Sequence, residues 1–236
     1  MHYKKFLFIS ACMLIANAAF SQAFQEGFQF MAKGKPSQVT LNSGEVLDGN
    51  IKDIDWKRGV YEAILFTDNS GKDHDLKAAD IKKIYGFPGG LEKLAAQRDF
   101  ATNVKKMTDK EYSIDLLGKG MILFESTDVL MGKKQFNLLM QLLNPTFCSD
   151  IKVYRDPAEK ETTRWGVAGV TLAGGDITTY YVKKGSEAAI LVTKKSYKDY
   201  FQKLFGDSEV MMQRYGEKPI WYDFAKHIAE YSDLKK

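Results

Sequence analysis

Apolar and polar residues alternate with a period of two through residues 38–86, in short runs separated by turn residues. This pattern is typical of half-buried β-strands. Within residues 46–56 the phase of the alternation changes, because Ile51 and Ile54 fall on opposite faces of the strand. The change predicts a bulge or a sharp bend, for which Gly49 is the natural residue. We predict four or five short, bent strands in this part of the chain.

Two segments in this part resemble the Sm-like family of small barrels. They are residues 39–51 (VTLNSGEVLDGNI) and the pair Asp80-Ile81 with Ile84 behind it. The resemblance implies a small SH3-like or Sm-like β-barrel, which we place at residues 24–88. The second signature of that family carries its RNA-contacting residues and is not recognisable in this sequence. The resemblance therefore implies no nucleic-acid partner.

A change of architecture is predicted at residues 87–90 (FPGG), because proline and paired glycines end a strand and redirect the chain. A helix is expected from there to about residue 107. Strands are predicted beyond it, at 121–127, 136–143, 151–154, 178–182 and 188–193. The second of these runs is equally consistent with a helix, since the periodicity of a short apolar run does not separate the two.

The last forty residues carry a helical pattern. Ser196 is a good N-cap with Asp199 at the capping-box position, and Gly206 is expected to end this helix. Pro219 is expected to open the last helix. The sequence thus predicts an α+β protein. A small barrel is followed, over residues 89–236, by a mainly antiparallel β region with C-terminal helices.

A second resemblance covers most of residues 40–233. Residues 142–148 (LLNPTFC), 180–185 (YYVKKG) and 200–207 (YFQKLFGD) are similar to segments of a family of uncharacterised exported proteins from Bacteroidota-type bacteria. That family brings no known activity. The resemblance implies export and architecture and leaves the function open.

The N-terminus has the three parts of a secretory signal peptide. Lys4 and Lys5 precede an apolar run at residues 6–19, and small residues follow it. The run of about fourteen residues is shorter than a membrane-spanning helix needs. We predict that residues 1–21 are removed and that the mature chain has no transmembrane span. A retained anchor, or a lipoprotein modified at Cys12, remains an alternative.

Charge and cysteine content narrow the classes of partner. The whole chain has a formal net charge of +4, and removal of residues 1–21 takes away Lys4 and Lys5, which leaves +2. A mature chain close to neutrality does not indicate binding to nucleic acid or contact of a polybasic surface with a membrane.

With Cys12 removed, Cys148 has no partner for an intramolecular disulfide and is expected to be a small buried residue.

One set of residues has the types that a hydrolase needs. Residues 205–208 (FGDS) are similar to the nucleophile block of GDS-type hydrolases, with Ser208 as nucleophile, His227 as base and Asp223 to orient the base. The family expects Asp three residues before His, whereas here the two are four apart. Helix capping by Ser208 is the alternative interpretation.

The other polar and glycine-rich segments are interpreted as structural features and not as functional sites. Asp223, His227 and Glu230 share a helix face that a metal site could use, and a solvated polar face is the preferred interpretation. The cluster at 73–75 is read as a hairpin turn. The glycine-rich stretch at 166–175 does not match a phosphate-binding loop. No cofactor or metal is predicted.

Several aromatic residues lie near turns or helix starts, where exposed rings serve protein contacts or sugar stacking. The predicted binding residues are Trp165, Tyr180, Tyr181, Trp221 and Tyr222. We predict an exported, non-catalytic binding or scaffold protein whose partner is an envelope protein or a glycan. It is expected in the periplasm, at the outer membrane or outside the cell. A hydrolase using Ser208 with His227 is the alternative.

Overall fold

The chain forms a mixed α+β structure, as the sequence predicts. The computed structural model describes residues 24–89, 111–158 and 179–236, together with the backbone of two short strands at 165–167 and 170–173. The predicted signal peptide and the predicted helix before residue 107 lie outside these ranges. The side chain of Trp165 does so as well.

Five antiparallel strands form the first part of the fold, in the order β5-β1-β2-β3-β4. Their bounds are β1 Pro36–Leu41, β2 Val46–Lys57, β3 Val60–Asp68, β4 Asp73–Lys77 and β5 Ile81–Gly86. A 3₁₀ turn at Ala78–Asp80 joins β4 to β5. The predicted run of short strands is therefore present, and the acidic cluster at 73–75 belongs to a hairpin. In that hairpin His74 contacts Asp68 at 2.7 Å.

The predicted irregularity of β2 is confirmed. The register between β2 and β3 shifts between Ile51 and Asp53 and again between Asp55 and Trp56. Gly49 lies just before the first shift, where the β3 backbone comes very close. A Cβ at position 49 would lie 2.1 Å from the carbonyl oxygen of Thr67. The glycine is therefore required by this close approach of two strands.

Gly49→Ala is expected to lower the free energy of unfolding by about 1–3 kcal/mol, because the backbone of β3 must move to admit the methyl group. Urea denaturation measures this change. The control is Asn50→Ala at the next, exposed position of the same strand, which should change stability by less than about 0.5 kcal/mol. Equal effects of the two substitutions would show that the close approach at residue 49 does not matter.

A closed five-stranded barrel follows in the chain. Its strands are β6 Ile122–Met131, β7 Lys134–Leu142, β8 Ile151–Arg155, β11 Thr179–Lys184 and β12 Ala189–Thr193. They pair in that order, and β12 returns to pair with β6 in parallel through Ala189 with Val129 and Ile190 with Leu130. The run at 136–143, which the pattern left open, is thus a strand. Strands β9 Trp165–Val167 and β10 Val170–Ala173 form a separate antiparallel pair.

Strand β6 joins the two parts of the sheet. Its first half pairs with β5, from Gly86 with Ile122 to Lys83 with Glu125. Its second half pairs with β12. The ten strands are therefore one continuous hydrogen-bonded sheet, and the chain has no break in the ladder between the strands before residue 88 and those after it.

The barrel is filled on the inside, where Leu117 also packs, and is covered on the outside by the C-terminal helices. The helices within the described ranges are α1 Ile114–Gly118, α2 Tyr197–Phe205, α3 Glu209–Tyr215 and α4 Phe224–Leu234. Side chains alternate along β11, so that Tyr181 packs inside the barrel while Tyr180 and Val182 pack against the C-terminal helices. No helix among the described residues combines the length and the apolar composition that a bilayer crossing requires.

The helix boundaries differ from the sequence predictions in three places. Ser196 precedes α2 as predicted, but its hydroxyl accepts a hydrogen bond from the Thr193 amide at the end of β12 and does not cap the helix. Gly206 follows the last residue of α2 with φ −66°, so it is not a left-handed terminator. The last helix begins at Phe224 and not at Pro219, because a 3₁₀ turn at Trp221–Asp223 comes first.

Candidate functional site

The predicted hydrolase residues are engaged in separate structural contacts. Ser208 is the N-cap of α3 and its hydroxyl accepts a hydrogen bond from the Met211 amide at 3.4 Å. His227 is fully buried, and its Nδ1 lies 2.6 Å from the Tyr197 hydroxyl. Its Nε2 has no hydrogen-bond partner among the described residues. Ser208 and His227 are therefore not hydrogen-bonded, and Asp223 lies at the N-terminus of α4.

Aromatic rings surround the imidazole of His227. The Tyr215 ring lies 4.3 Å from it, centre to centre, and the rings of Phe201 and Phe205 lie at 5.6 and 6.4 Å. Burial in this apolar setting lowers the pKa of His227 to about 4. The imidazole is therefore neutral at neutral pH, and it stabilises the packing of the C-terminal helices.

Ser208→Ala is expected to lower the free energy of unfolding by about 1 kcal/mol, because the capping acceptor for the first turn of α3 is lost. Ser208→Asp retains an acceptor and is expected to keep the wild-type value. Thermal or urea unfolding of the three proteins measures the difference. If both variants lose the same stability, the hydroxyl does not act as a cap.

The five predicted binding aromatics do not form one surface among the described residues. Tyr180 and Trp221 pack together beneath the C-terminal helices, with ring centres 5.5 Å apart. Tyr181 lies inside the barrel. Tyr222 is 66% exposed, and its ring stacks under the Lys194 ammonium at 4.4 Å. Tyr222 is thus the one predicted binding residue that the described structure places at the surface.

Tyr222 belongs to a larger exposed apolar surface at one end of the closed barrel. We call this the barrel-end surface and define it by residues 130–136, 191–195 and 220–222. Among the described residues ten large apolar side chains are exposed, and six of them lie in these three segments. The six are Leu130, Met131, Phe136, Leu191, Ile220 and Tyr222. Exposed apolar residues that are scattered over a surface are normal, whereas a concentration of them is typical of interaction surfaces.

Strand pairing brings the first two segments together, and the contact of Lys194 with the Tyr222 ring adds the third. Gly132, with φ 63°, takes the first central position of the two-residue turn between β6 and β7, as a type II′ hairpin requires. Across this hairpin Phe136 pairs with Val129. The parallel pairing of β12 with β6 then brings Leu191 to the same end of the barrel. Strands β6, β7 and β12 of the closed barrel therefore carry the apolar residues of the first two segments, and the turns at 132–133 and 194–195 continue from these strands.

The barrel-end surface is also basic. Its three segments contain Lys133, Lys134, Lys194 and Lys195 and no acidic residue. All four lysines are exposed. This local excess of positive charge is not visible in the net charge of the mature chain, because acidic residues elsewhere offset it.

Sequence reasoning missed a buried polar cluster in the barrel. Glu125 is 7% exposed, and the hydroxyls of Tyr112 and Tyr154 each donate to one of its carboxylate oxygens at 2.7 Å. The Lys152 ammonium lies 3.2 Å from the same carboxylate. The alternation along β6 could have identified it. Glu125 lies two residues after Leu123, so both side chains are on the face that points into the barrel.

Two lysines extend this cluster towards the surface. Lys152 also reaches the Glu111 carboxylate at 3.4 Å, and Lys83 donates to the Glu111 carbonyl at 2.9 Å. Burial lowers the pKa of Lys83. Burial also disfavours the Lys152 ammonium, but the carboxylates of Glu125 and Glu111 outweigh it and raise the pKa of Lys152.

The tyrosines of the cluster act as fixed hydrogen-bond donors. Burial raises the pKa of Tyr112 and of Tyr154, and the nearby Glu125 carboxylate raises both further. Both phenols therefore keep their protons. The donors and the carboxylate satisfy one another, so the cluster ties Tyr112, two residues before α1, to the barrel strands and acts as a polar core element.

The described structure therefore contains two candidate sites. The barrel-end surface is exposed, and the Glu125 cluster is buried. Comparison of the chain with protein-family models, with curated proteins and with solved structures gave no match.

Proposed function

We propose that the mature chain is an exported, non-catalytic binding protein that contacts an envelope component through the barrel-end surface. The observation that carries this proposal is the concentration of six exposed apolar side chains and four lysines at one end of a closed barrel. A rigid scaffold that presents such a surface loses little conformational entropy on binding.

Export is proposed from the basic and apolar pattern of residues 4–19. The compartment is then the periplasm, the outer membrane surface or the exterior. We also propose that strands β1 to β5 form an SH3-like or Sm-like unit that supports the barrel. Their order, β5-β1-β2-β3-β4, and the 3₁₀ turn at Ala78–Asp80 support this assignment.

Retention of the mature protein on an isolated envelope fraction tests the proposed function. Met131→Ser with Phe136→Ser is expected to reduce retention at least about tenfold, because two exposed apolar anchors are removed. The matched control is Val46→Ser with Leu234→Ser, whose side chains are 51% and 46% exposed away from the barrel end. The control is expected to bind like wild type.

Two outcomes contradict the proposal. Equal retention of both double variants would show that the barrel-end surface is not used. Hydrolysis of ester or glycoside substrates by the wild type, abolished in Ser208→Ala, would favour the hydrolase alternative instead.

A further inference from the structure

We infer that the partner of the barrel-end surface is an anionic lipid bilayer. This inference rests on the proposed function, in that it uses the same surface, and it adds the identity of the occupant. Shape, the distribution of charge and the chemistry of the exposed aromatic side chain each support it.

The shape argument concerns the tip of the β6–β7 hairpin. Leu130 and Phe136 lie on opposite faces of this hairpin, because Phe136 pairs with Val129 and neighbouring residues of a strand point to opposite sides. Both side chains are exposed, and Met131 beside the turn is exposed as well. A flat protein partner covers one face of a hairpin. A fluid lipid interface surrounds a tip that is apolar on both faces, which suits shallow insertion.

The charge argument concerns the lysines around these apolar side chains. Lys133 is the second turn residue of the hairpin, Lys134 is the first residue of β7, and Lys194 and Lys195 follow the end of β12. A long lysine side chain buries its methylene groups along apolar surface while its ammonium stays among the headgroups. Four lysines without an acidic residue in the same segments complement a negatively charged leaflet.

The third argument concerns Tyr222. Its ring is 66% exposed and it contacts the Lys194 ammonium. Tyrosine is favoured at the boundary between headgroups and acyl chains, because its ring is apolar and its hydroxyl is polar. Ile220, also exposed, lies two residues before it in the chain. Through the contact with Lys194 these residues add a second apolar element to the barrel-end surface, at the end of β12.

Co-sedimentation of the mature protein with lipid vesicles tests the inference. Vesicles of phosphatidylcholine containing about one third phosphatidylglycerol are compared with vesicles of phosphatidylcholine alone. Binding to the anionic vesicles is expected to be at least about tenfold tighter, and salt at about 1 M should remove most of this advantage because it screens the lysines.

Two variants separate the apolar and the ionic contributions. Met131→Ser with Phe136→Ser, and Lys133→Glu with Lys134→Glu, are each expected to weaken binding to anionic vesicles about tenfold or more. The matched controls are Val46→Ser with Leu234→Ser, and Lys77→Glu with Lys119→Glu, all at exposed positions outside the surface. Both controls should bind like wild type. Unfolding curves confirm that every variant is folded.

The outcomes distinguish this inference from the proposed function. If the vesicles do not bind but the envelope fraction retains the protein through Met131 and Phe136, the occupant is a protein or a glycan and the lipid inference is wrong. If neither binds through these residues, both proposals fail. Equal binding to neutral and anionic vesicles would also overturn the inference, because the lysines would then contribute nothing.

Discussion

Replacing Glu125 with alanine is expected to lower the free energy of unfolding by about 3–5 kcal/mol. The substitution leaves the Lys152 ammonium without its buried counter-charge. It also removes the acceptor from the hydroxyls of Tyr112 and Tyr154, both of which are buried. Buried donors without an acceptor are costly because the folded protein gives them no replacement for the water they lose, and Lys152 keeps only the exposed Glu111 carboxylate as its partner.

Equilibrium unfolding in urea measures this loss. Glu111→Ala is the control, because the Glu111 side chain is 53% exposed and contacts the same Lys152 ammonium. An exposed ion pair contributes no more than about 1 kcal/mol. Tyr154→Phe should fall between the two, at about 1–3 kcal/mol, because it removes one donor from the buried carboxylate. Similar losses for Glu125→Ala and Glu111→Ala would contradict the role assigned to the cluster.

Lowering the pH from 7 to 4 is expected to cost about 3 kcal/mol of stability through His227 alone. The pKa of His227 is about 4 in the folded protein, against an ordinary value of 6.5. Between these values the unfolded chain binds a proton that the folded protein excludes. The contribution of His227 is therefore complete above pH 6.5 and is lost progressively as the pH falls towards 4.

Unfolding free energies measured at several pH values for wild type and His227→Phe isolate this contribution. Asp68 and Asp207 are common to both proteins, and their lowered pKa values place their own losses at more acidic pH. The variant loses the hydrogen bond with Tyr197, which lowers its stability at neutral pH, but its curve should be flatter between pH 6.5 and 4. Parallel curves would mean that His227 takes up its proton equally well in both states.

Local patterns of the sequence predicted the local features of the fold. Alternation located the strands between residues 36 and 86, and the phase change in β2 identified a bulge that the structure contains. The pairing of Ala189 with Val129 was not predictable, because it joins strands sixty residues apart and nothing in either segment specifies the partner. The sequence predicts a barrel at residues 24–88 and only a mainly antiparallel β region after it, so closure of the barrel formed by the strands from Ile122 to Thr193 is the feature that sequence reasoning could not reach.

The candidate sites likewise depend on long-range packing, which local sequence patterns do not show. Tyr180 and Tyr181 were predicted as binding residues because they lie near a turn. Both are buried, because β11 has the barrel interior on one side and the C-terminal helices on the other. The barrel-end surface was missed because its lysines and apolar residues come from separate segments. The net charge sums all residues of the chain and therefore does not show a local group of lysines.

Site-specific photo-crosslinking in cells that produce the protein tests the central proposal most directly. A photoreactive side chain at position 136, on the barrel-end surface, is compared with one at position 46, which is at least as exposed and lies on the first part of the sheet. Adducts with envelope components at position 136 and none at position 46 are the predicted result. No adduct at position 136, or the same adducts at both positions, would contradict a binding role for this surface.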